Sequence, residues 1–437
     1  MRASELRKLD SELRAYIESF VVGIGRPERR RAMALYITGL LLDGERKSIE
    51  PMAARLVDDE SEVEAMRQRL QQCVVLSGWS DDEPRARLAR KLDKEMPGIE
   101  AFVIDDTGFP KKGEHSVGVQ RQYSGTLGRR DNCQVATSLH LAGEAGSGCI
   151  ALRLYLPESW ASDKARRRTA GVPDEVTFLR KWEIALSQID DALQWGVRRH
   201  VVLADAGYGD CVEFREGLTQ RELPYVLGVN GTHLVWPPGS KPRPPQRKPG
   251  QGGIAPTKYV DGSTRPIAIS DLVKAIPRTA YKKVSWREGS RGRQTSRFLT
   301  MRVRTAAHHH YGEAPSDEQW LICNWLDGAE GPKFWLSSLP AATPVTTLVR
   351  FAKLRWRVER DYQEMKQEIG LDHFEGRTWR GFHHHATLCA VAHAFLALRR
   401  ALFPPIPHQV DPADGQAPPS VRSVAHDRNV SALSPAN

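Results

Sequence analysis

Three acidic residues offer the clearest chemistry in this sequence. Asp105 ends a short apolar run (AFVID), Asp205 ends another (VVLAD), and Glu359 lies inside a strongly helical segment that would cover a sheet. Carboxylates at adjacent strand ends and on a covering helix would converge on a small volume, where they stay ionised only beside cations. Hard oxygen ligands suit Mg²⁺. The sequence therefore predicts a site for two Mg²⁺ ions, with Mn²⁺ able to substitute.

Such a pair of ions defines the reaction class. Two metals about 3.5–4 Å apart hold the attacking and leaving oxygens of a phosphodiester in line. Each acid alone has an ordinary explanation, because Asp is a frequent helix cap and turn former. The three acids together with their basic neighbours carry the hypothesis.

The segment around Glu359 supplies two basic residues at helical spacing. Arg355, Glu359 and Lys366 stand at positions i, i+4 and i+11, which is one face of a helix. This face is either an exposed, salt-bridged stripe or a row in which Arg355 and Lys366 hold phosphates beside the bond at Glu359.

Further basic residues follow the first acid. We expect them to face DNA near the scissile bond, although a solvated loop is the other interpretation; they are Lys111, Lys112, Arg121, Arg129 and Arg130. The whole chain has 63 Lys and Arg against 53 Asp and Glu, a net charge of +10. A basic surface favours a polyanion such as DNA, because each phosphate contact releases counterions.

These motifs resemble a known family. The pattern Arg355-x3-Glu359-x6-Lys366 is similar to the signature helix Tyr-x2-Arg-x3-Glu-x6-Lys of DDE transposases of bacterial insertion sequences. The segments VIDDTGFPKKG and VVLADAGYG resemble those around the first and second acids in one branch of this superfamily. The likeness extends over about residues 15–400.

The resemblance implies a fold and a reaction. The fold would be α/β, with a ribonuclease H-like mixed sheet core, a β-rich insertion and a helical N-terminal domain. The reaction would be cutting at the ends of an insertion sequence, followed by attack of the 3′-hydroxyl on target DNA. The substrate would be double-stranded DNA, and a homodimer on DNA is expected by analogy.

The chain also departs from the family pattern. The Asp-x-Thr pattern assigns the first acid to Asp105, with Asp106 as the rival. Ala352 stands where the family has Tyr, and Lys353 or Tyr362 are candidate substitutes. Family members often make hairpin ends with a base stacked on an aromatic residue. Trp286 is the candidate for that contact, and a buried strand tryptophan is the ordinary alternative.

The elements that must position these residues fall into five segments. Residues 1–95 read as a helical domain whose basic cluster at 26–31 either docks on DNA or is solvated. Residues 96–235 begin the catalytic core, with a helix expected at 176–195. Residues 236–340 are a basic linker and β-rich insertion. Residues 341–402 carry helices expected at 344–369 and 383–402, and 403–437 form a disordered tail.

The remaining features limit the class of protein. Apolar residues make up 40% and charged residues 27%, the balance of a soluble globular protein. The six scattered cysteines suggest reduced, buried thiols, and no segment suggests a signal peptide or a membrane span. We therefore expect a cytoplasmic protein, and the resemblance implies a bacterial, nucleoid-associated one. His383–His385 open a helix where phosphate contact is conceivable.

Two other functions remain open at this stage. One is a catalytically silent DNA-binding regulator derived from a transposase, which Ala352 leaves open. The other is a ribonuclease H-like nuclease without strand transfer.

Overall fold

The structure is a computed structural model that describes residues 3–125, 128–246, 257–289, 292–306, 309, 312, 314–325 and 331–403. The tail after residue 403 and much of the expected basic linker lie outside the described residues. The chain forms two compact units. The first unit comprises Met1–Ile99, Asp105–Arg198 and Arg357–Asn437, and the second comprises Glu100–Ile104 and Arg199–Trp356.

Five helices open the first unit. Their apolar faces are buried, with Phe20, Ile37 and Leu70 at most 1% exposed, and Pro27 occupies the first turn of the second helix, where a missing N–H is harmless. The helices are α1 (Ala3–Val21), α2 (Pro27–Leu41), α3 (Ile49–Arg55), α4 (Val63–Gln71) and α5 (Asp82–Glu95). A helical segment was predicted for this region.

Antiparallel strands form the next layer of the first unit. They are the second half of β1 (Ile99–Pro110), β2 (Gln120–Ser124), β3 (Arg129–Gly143) and β4 (Ser147–Leu154). The register sets Gln120 opposite Cys133 and Leu139 opposite Ala151. β3 is buried over most of its length, so its polar residues lie inside the unit.

The first strand runs further than the sequence predicted. Asp105 was expected at the end of the strand, but β1 continues through it and through Gly108 to Pro110. Gly108 is required there because a Cβ at this position would come 2.2 Å from Oγ of Ser124. A glycine inside a strand often marks such a close approach rather than a turn.

Five more helices belong wholly or mostly to the first unit. They are α6 (Glu158–Ala161), α7 (Lys164–Ala170), α8 (Lys181–Gln194), α13 (Trp356–Gln367) and α14 (Trp379–Leu402). α8 begins five residues later than the expected start at 176. The backbone N–H of Arg180 donates to the carboxylate of Glu183 at 2.6 Å, which caps the helix at this point.

The second unit is built on a mixed sheet. Glu100–Ile104 of β1 belong to it, and its other strands are β5 (Val201–Ala204), β6 (Tyr225–Val229), β7 (Leu234–Trp236), β8 (Ile267–Ala268), β9 (Lys282–Gly289), β10 (Gly292–Thr305), β11 (Gln319–Trp325) and β12 (Lys333–Ser337). Its helices are α9 (Ala206–Gly209), α10 (Val212–Gln220), α11 (Ile269–Lys274) and α12 (Val345–Leu354).

The strand order in the second unit is β1-β5-β6-β12-β11-β10-β7-β8, with β9 paired to β10. β1, β5 and β6 are parallel, whereas β12, β11, β10 and β9 join antiparallel. Buried residues such as Leu299, Leu321 and Leu336 form its core. The expectation of a mixed α/β fold is confirmed, and the strands expected between 257 and 340 correspond to β9–β12.

The helix expected at 344–369 is two helices. α12 ends at Leu354, α13 begins at Trp356, and Arg355 forms the break. Neither Gly nor Pro marks this position in the sequence. On the two sides of the break, the guanidinium of Arg287 stacks on Trp356 at 3.9 Å, and Arg357 donates to the backbone of Glu144.

All six cysteines are free thiols, as expected, and Cys211 is the half-buried one. No helix among the described residues is long and apolar enough to cross a membrane.

Candidate active site

The two adjacent acids on β1 differ in what they contact. Oδ1 of Asp105 accepts the backbone N–H of Asp106 at 2.8 Å. Asp106 accepts Nζ of Lys181 at 2.6 Å and the hydroxyl of Thr137 at 3.2 Å. Asp106 therefore forms an ion pair with Lys181.

Asp205 follows β5 directly in the second unit. Its Oδ1 accepts the N–H of Gly207 at 2.9 Å, so it caps the short helix α9. Inside this unit β1 and β5 are parallel neighbours, and Val103 pairs with Leu203 as the last residues of the register. In the chain, Asp105 follows Val103 by two residues and Asp205 follows Leu203 by two residues.

Glu359 lies on α13 in the first unit, and its side chain is exposed. One turn later, the hydroxyl of Tyr362 lies 2.5 Å from Oγ of Ser138, which in turn donates to the carbonyl oxygen of Asp105 at 3.3 Å. Burial, and then the nearby Asp105 carboxylate, raise the pKa of Tyr362 well above its usual value. These hydrogen bonds, which run through Ser138, link α13 to β1 beside Asp105.

Lys366 links the C-terminal end of α13 to β1. Its Nζ donates to the carbonyl oxygen of Gly108 at 2.8 Å and lies 5.1 Å from the ring of Phe109. Burial lowers its pKa. Arg355, in the second unit, precedes α13 at the helix break. The expectation that Arg355, Glu359 and Lys366 lie along one uninterrupted helix is therefore wrong.

The comparison with known proteins shows the family of the chain. Residues 19–293, more than half of the chain, match the family model described as DDE superfamily endonuclease. The chain belongs to this family. The matched region includes Asp105 and Asp205, whereas Glu359 lies beyond it.

One similar protein is the "probable transposase for insertion sequence element IS701" of Microchaete diplosiphon. It is 28% identical over 203 residues, which is 45% of this chain and 48% of that protein. The chain therefore spans about half the length of this relative. The family and the relative together confirm the resemblance to DDE transposases that the sequence motifs indicated.

DDE superfamily endonucleases generally use divalent metal ions, and this chain has donors of the appropriate chemistry. The candidates Asp105, Asp205 and Glu359 are carboxylates, the class that Mg²⁺ and Mn²⁺ prefer. Among the described residues, no three His, Cys, Asp or Glu side chains are grouped so that they could already hold an ion. The chemistry of these donors fits a divalent metal ion.

The basic residues that follow Asp105 divide into two kinds. Lys111 is half-buried and donates from Nζ to the carbonyl oxygen of Phe374 at 3.0 Å, and burial lowers its pKa. The other four are exposed: Lys112, Arg121, Arg129 and Arg130. Arg129 also pairs with Asp131 at 2.9 Å. Lys112, Arg121 and Arg130 therefore place their charges at the surface of the unit.

A groove in the first unit adjoins these residues. It has a volume of about 510 Å³ and is lined by Arg46, Pro110, Lys111, Lys112, Gly113, His115, Ser116, Asp372, His373, Phe374, Glu375 and Arg377. Arg46 forms an ion pair with Glu375 across it. Arg46 and Arg377 were not singled out from the sequence because they are distant from Lys112 along the chain.

Trp286 lies on β9 in the second unit and is half-buried. Its ring meets Phe298 edge-on, with centroids 5.8 Å apart, and Nζ of Lys353 lies 5.4 Å from its centre. Lys353 also donates to Oδ1 of Asn324 at 2.6 Å. Lys353, one candidate for the missing signature Tyr, is thus engaged inside the second unit.

The histidines expected to open the last helix lie one turn inside it, because α14 begins at Trp379 and not at 383, and they are packed in the first unit. His384 stacks on Trp79 at 3.7 Å, and His385 contacts the hydroxyl of Tyr36 at 2.8 Å. Nε2 of His383 accepts the N–H of Leu154 at 3.3 Å. The suggestion that these rings contact phosphate is wrong, because their nitrogens bind the protein itself.

A polar cluster that packs against α13 was not predicted from the sequence. Its members are Ser138 and His140 on β3, Ser147 on β4 and Asp361 on α13. A signal was present, since polar residues interrupt the apolar run ATSLHLA. Their partners lie more than 200 residues away in the chain, which no local pattern reveals.

Proposed function

We propose that this DDE superfamily endonuclease is the transposase of a bacterial insertion sequence. It would cut the ends of the element and join them to target DNA. The observation that carries the proposal is the family match over Asp105 and Asp205, which extend two adjacent parallel strands at the same offset. The similarity to the IS701 protein supports the mobile-element context. We further propose that the core is ribonuclease H-like.

In this proposal Asp105, Asp205 and Glu359 bind two Mg²⁺ ions, with Mn²⁺ as a substitute. Bound divalent ions activate the attacking oxygen and stabilise the leaving oxygen of a phosphodiester. The backbone N–H groups of Asp106 and Gly207 orient the carboxylates of Asp105 and Asp205. Glu359 is exposed on a helix whose position is fixed by contacts on either side of it.

The proposed substrate is double-stranded DNA at the element ends and at the target. The net charge of +10 supports a polyanionic partner. We assign phosphate contacts to Arg355, Lys366 and the basic residues that follow Asp105, and base stacking to Trp286. We also propose that the N-terminal helices contribute to DNA binding and that a homodimer holds the two ends in the bacterial cytoplasm.

The basic residues in this assignment act in two ways, by placing β1 and by contacting phosphates directly. Lys366 holds Gly108, so its contribution includes the placement of β1. The exposed Lys112, Arg121 and Arg130 would act as point charges along the phosphate backbone.

A transposition assay tests the proposal. A selectable marker is placed between the DNA segments that flank the gene, and the protein is supplied from a second plasmid. We expect insertions at new sites with the wild type and none above background with Asp205→Asn. If the wild-type protein binds the flanking DNA but yields no insertions and no cut ends, the chain is a DNA-binding regulator. Cut ends without insertion would indicate a nuclease lacking strand transfer.

A further inference from the structure

A chain of hydrogen bonds runs through the interior of the first unit behind Glu359. Oγ of Ser138 lies 2.5 Å from the hydroxyl of Tyr362 and 3.0 Å from Nε2 of His140. Nδ1 of His140 lies 2.8 Å from Oδ2 of Asp361, whose Oδ1 accepts the hydroxyl of Ser147 at 2.7 Å. The chain thus joins β3, β4 and α13 through polar atoms alone.

Burial makes this network a strong constraint. Ser138 and His140 are fully buried, and Asp361 is 3% exposed. A buried polar group that loses its partner is costly, so a fully paired network favours one arrangement over its alternatives. The ring of Tyr362 also meets that of His140 edge-on, with centroids 5.4 Å apart. The network therefore determines the rotation of α13 about its axis.

The donors and acceptors of the network can be assigned. Ser138 has one hydroxyl proton, which it gives to the carbonyl oxygen of Asp105 at 3.3 Å. Both other neighbours, the Tyr362 hydroxyl and Nε2 of His140, must then donate to Oγ of Ser138. Nδ1 of His140 is left to donate to Asp361, so the ring carries both protons. Although burial lowers the pKa of His140, Cys149 and Asp361 raise it to about 10, which agrees with that assignment.

The network ends at both candidate ligands of the first unit. One end is the backbone of Asp105. The other is α13, where Tyr362 lies one turn after Glu359 and Asp361 lies on the opposite, buried side of the helix. The contact of Asp361 with His140 holds this face of α13 inward, so Glu359 on the opposite face points outward. The contact of Tyr362 with Ser138 sets the position of Glu359 along β1.

We propose that Tyr362, Ser138, His140 and Asp361 form a positioning network that holds Glu359 in register with Asp105 for binding of a divalent cation. The four are positioning residues, because they act through the two carboxylates. Tyr362 thereby supplies an orienting hydroxyl in a chain that has Ala352 at the tyrosine position of the signature. This inference rests on the proposed function.

The test compares two tyrosine-to-phenylalanine variants. Tyr362→Phe removes the hydroxyl of the network and keeps the ring. Tyr16→Phe is the matched control, since the Tyr16 hydroxyl donates to the carbonyl of Val391 at 2.8 Å inside the same unit and away from the network. The readouts are the Mn²⁺ dissociation constant of the full chain by calorimetry and the hydrogen exchange of residues 356–367.

We expect Tyr362→Phe to weaken Mn²⁺ binding about 10-fold, the lower end of what loss of an outer partner of a metal ligand causes, and to speed exchange in 356–367. Tyr16→Phe should leave both within about 2-fold of the wild type. The inference is overturned if the two variants behave alike. Ser138→Ala should reproduce Tyr362→Phe, and a wild-type response in that variant also overturns it.

This outcome is separable from failure of the proposed function. A wild type that neither binds Mn²⁺ nor cuts element ends removes the proposed function and the inference with it. A wild type that binds and cuts, with Tyr362→Phe unchanged, removes the inference alone.

Discussion

Lys181 places its Nζ 2.6 Å from Oδ2 of Asp106, the residue immediately after Asp105 on β1. Both side chains are partly buried, at 35% and 28% exposure. Asp106 is thereby neutralised by a lysine of the same unit, whereas Asp105 accepts a backbone N–H. Two adjacent carboxylates on β1 thus accept hydrogen bonds from different kinds of donor.

This difference leads to a prediction for the two acids. Asp105→Asn should reduce cleavage of element-end DNA by more than about 100-fold, since even an outer partner of a metal ligand is worth ~10–100-fold. Asp106→Asn should keep cleavage within about 10-fold and mainly lower the melting temperature, because it loses the pairing with Lys181. Single-turnover cleavage and thermal melts measure both. Full activity in Asp105→Asn would reverse the assignment.

The strands that carry Asp105 and Asp205 were predictable from local patterns, although β1 continues past Asp105 instead of ending there. The apolar runs before Asp105 and Asp205 become the parallel strands β1 and β5, because an uninterrupted apolar run suits a strand buried on both faces. The helical spacing around Glu359 likewise indicated a helix. These signals operate within a few residues, and the sequence contains them in full.

Three other features could not be predicted from the sequence, because they depend on residues that are distant along the chain. The lack of a side chain at Gly108 leaves room for Oγ of Ser124, which is brought against it only when the strands assemble. The helix break at Arg355 has no Gly or Pro to announce it. The partner of His140 is Asp361, 221 residues further along the chain.

DNA binding should show which basic residues meet phosphates. Lys112→Ala is expected to lower the slope of log K against log salt concentration by about 0.9, the value for one phosphate contact. Lys94→Ala is the matched control, an exposed lysine at the last turn of α5, and should leave the slope unchanged. Binding titrations from low to moderate salt measure it. Equal slopes for the two variants would remove Lys112 from the interface.

Trp286 is expected to stack on a DNA base near the cut. Trp286→Ala should weaken binding of element-end DNA by about 1–3 kcal/mol, the value of one base–aromatic stack, and Trp286→Phe should weaken it less. A 2-aminopurine base beside the cut site should lose its fluorescence quenching in Trp286→Ala. Trp320→Phe is the control, since Trp320 donates to the carbonyl of Pro340 in the same unit. If Trp286→Ala binds and quenches like the wild type, Trp286 is a structural residue.

Stability should fall in mild acid because of the buried histidines. Burial lowers the pKa of His385 to about 4, so below its unfolded value of about 6.5 the unfolded chain binds the proton and the folded chain does not. The free energy of unfolding is therefore unaffected by this ring above about pH 6.5 and decreases as the pH falls toward 4, because only the unfolded chain takes up the proton. At pH 5 the loss is about 2 kcal/mol.

Melting temperatures at pH 7.5 and pH 5.0 check this prediction. The difference between them should shrink in His385→Asn, because this side chain cannot take the proton. His115→Asn, at an exposed position, should keep the wild-type difference. If His385→Asn retains the full difference as well, the acid sensitivity arises elsewhere.

The most direct test of the account is cleavage by Glu359→Gln. A labelled duplex that spans the boundary between the element and its flanking DNA is incubated with Mg²⁺ and the wild type, Glu359→Gln or the control Glu368→Gln, an exposed glutamate just beyond α13. The account predicts cutting at the boundary by the wild type and Glu368→Gln, and binding without cutting by Glu359→Gln. Cutting by Glu359→Gln at the wild-type rate would contradict the assignment of Glu359, and no cutting by any of the three would contradict the transposase function itself.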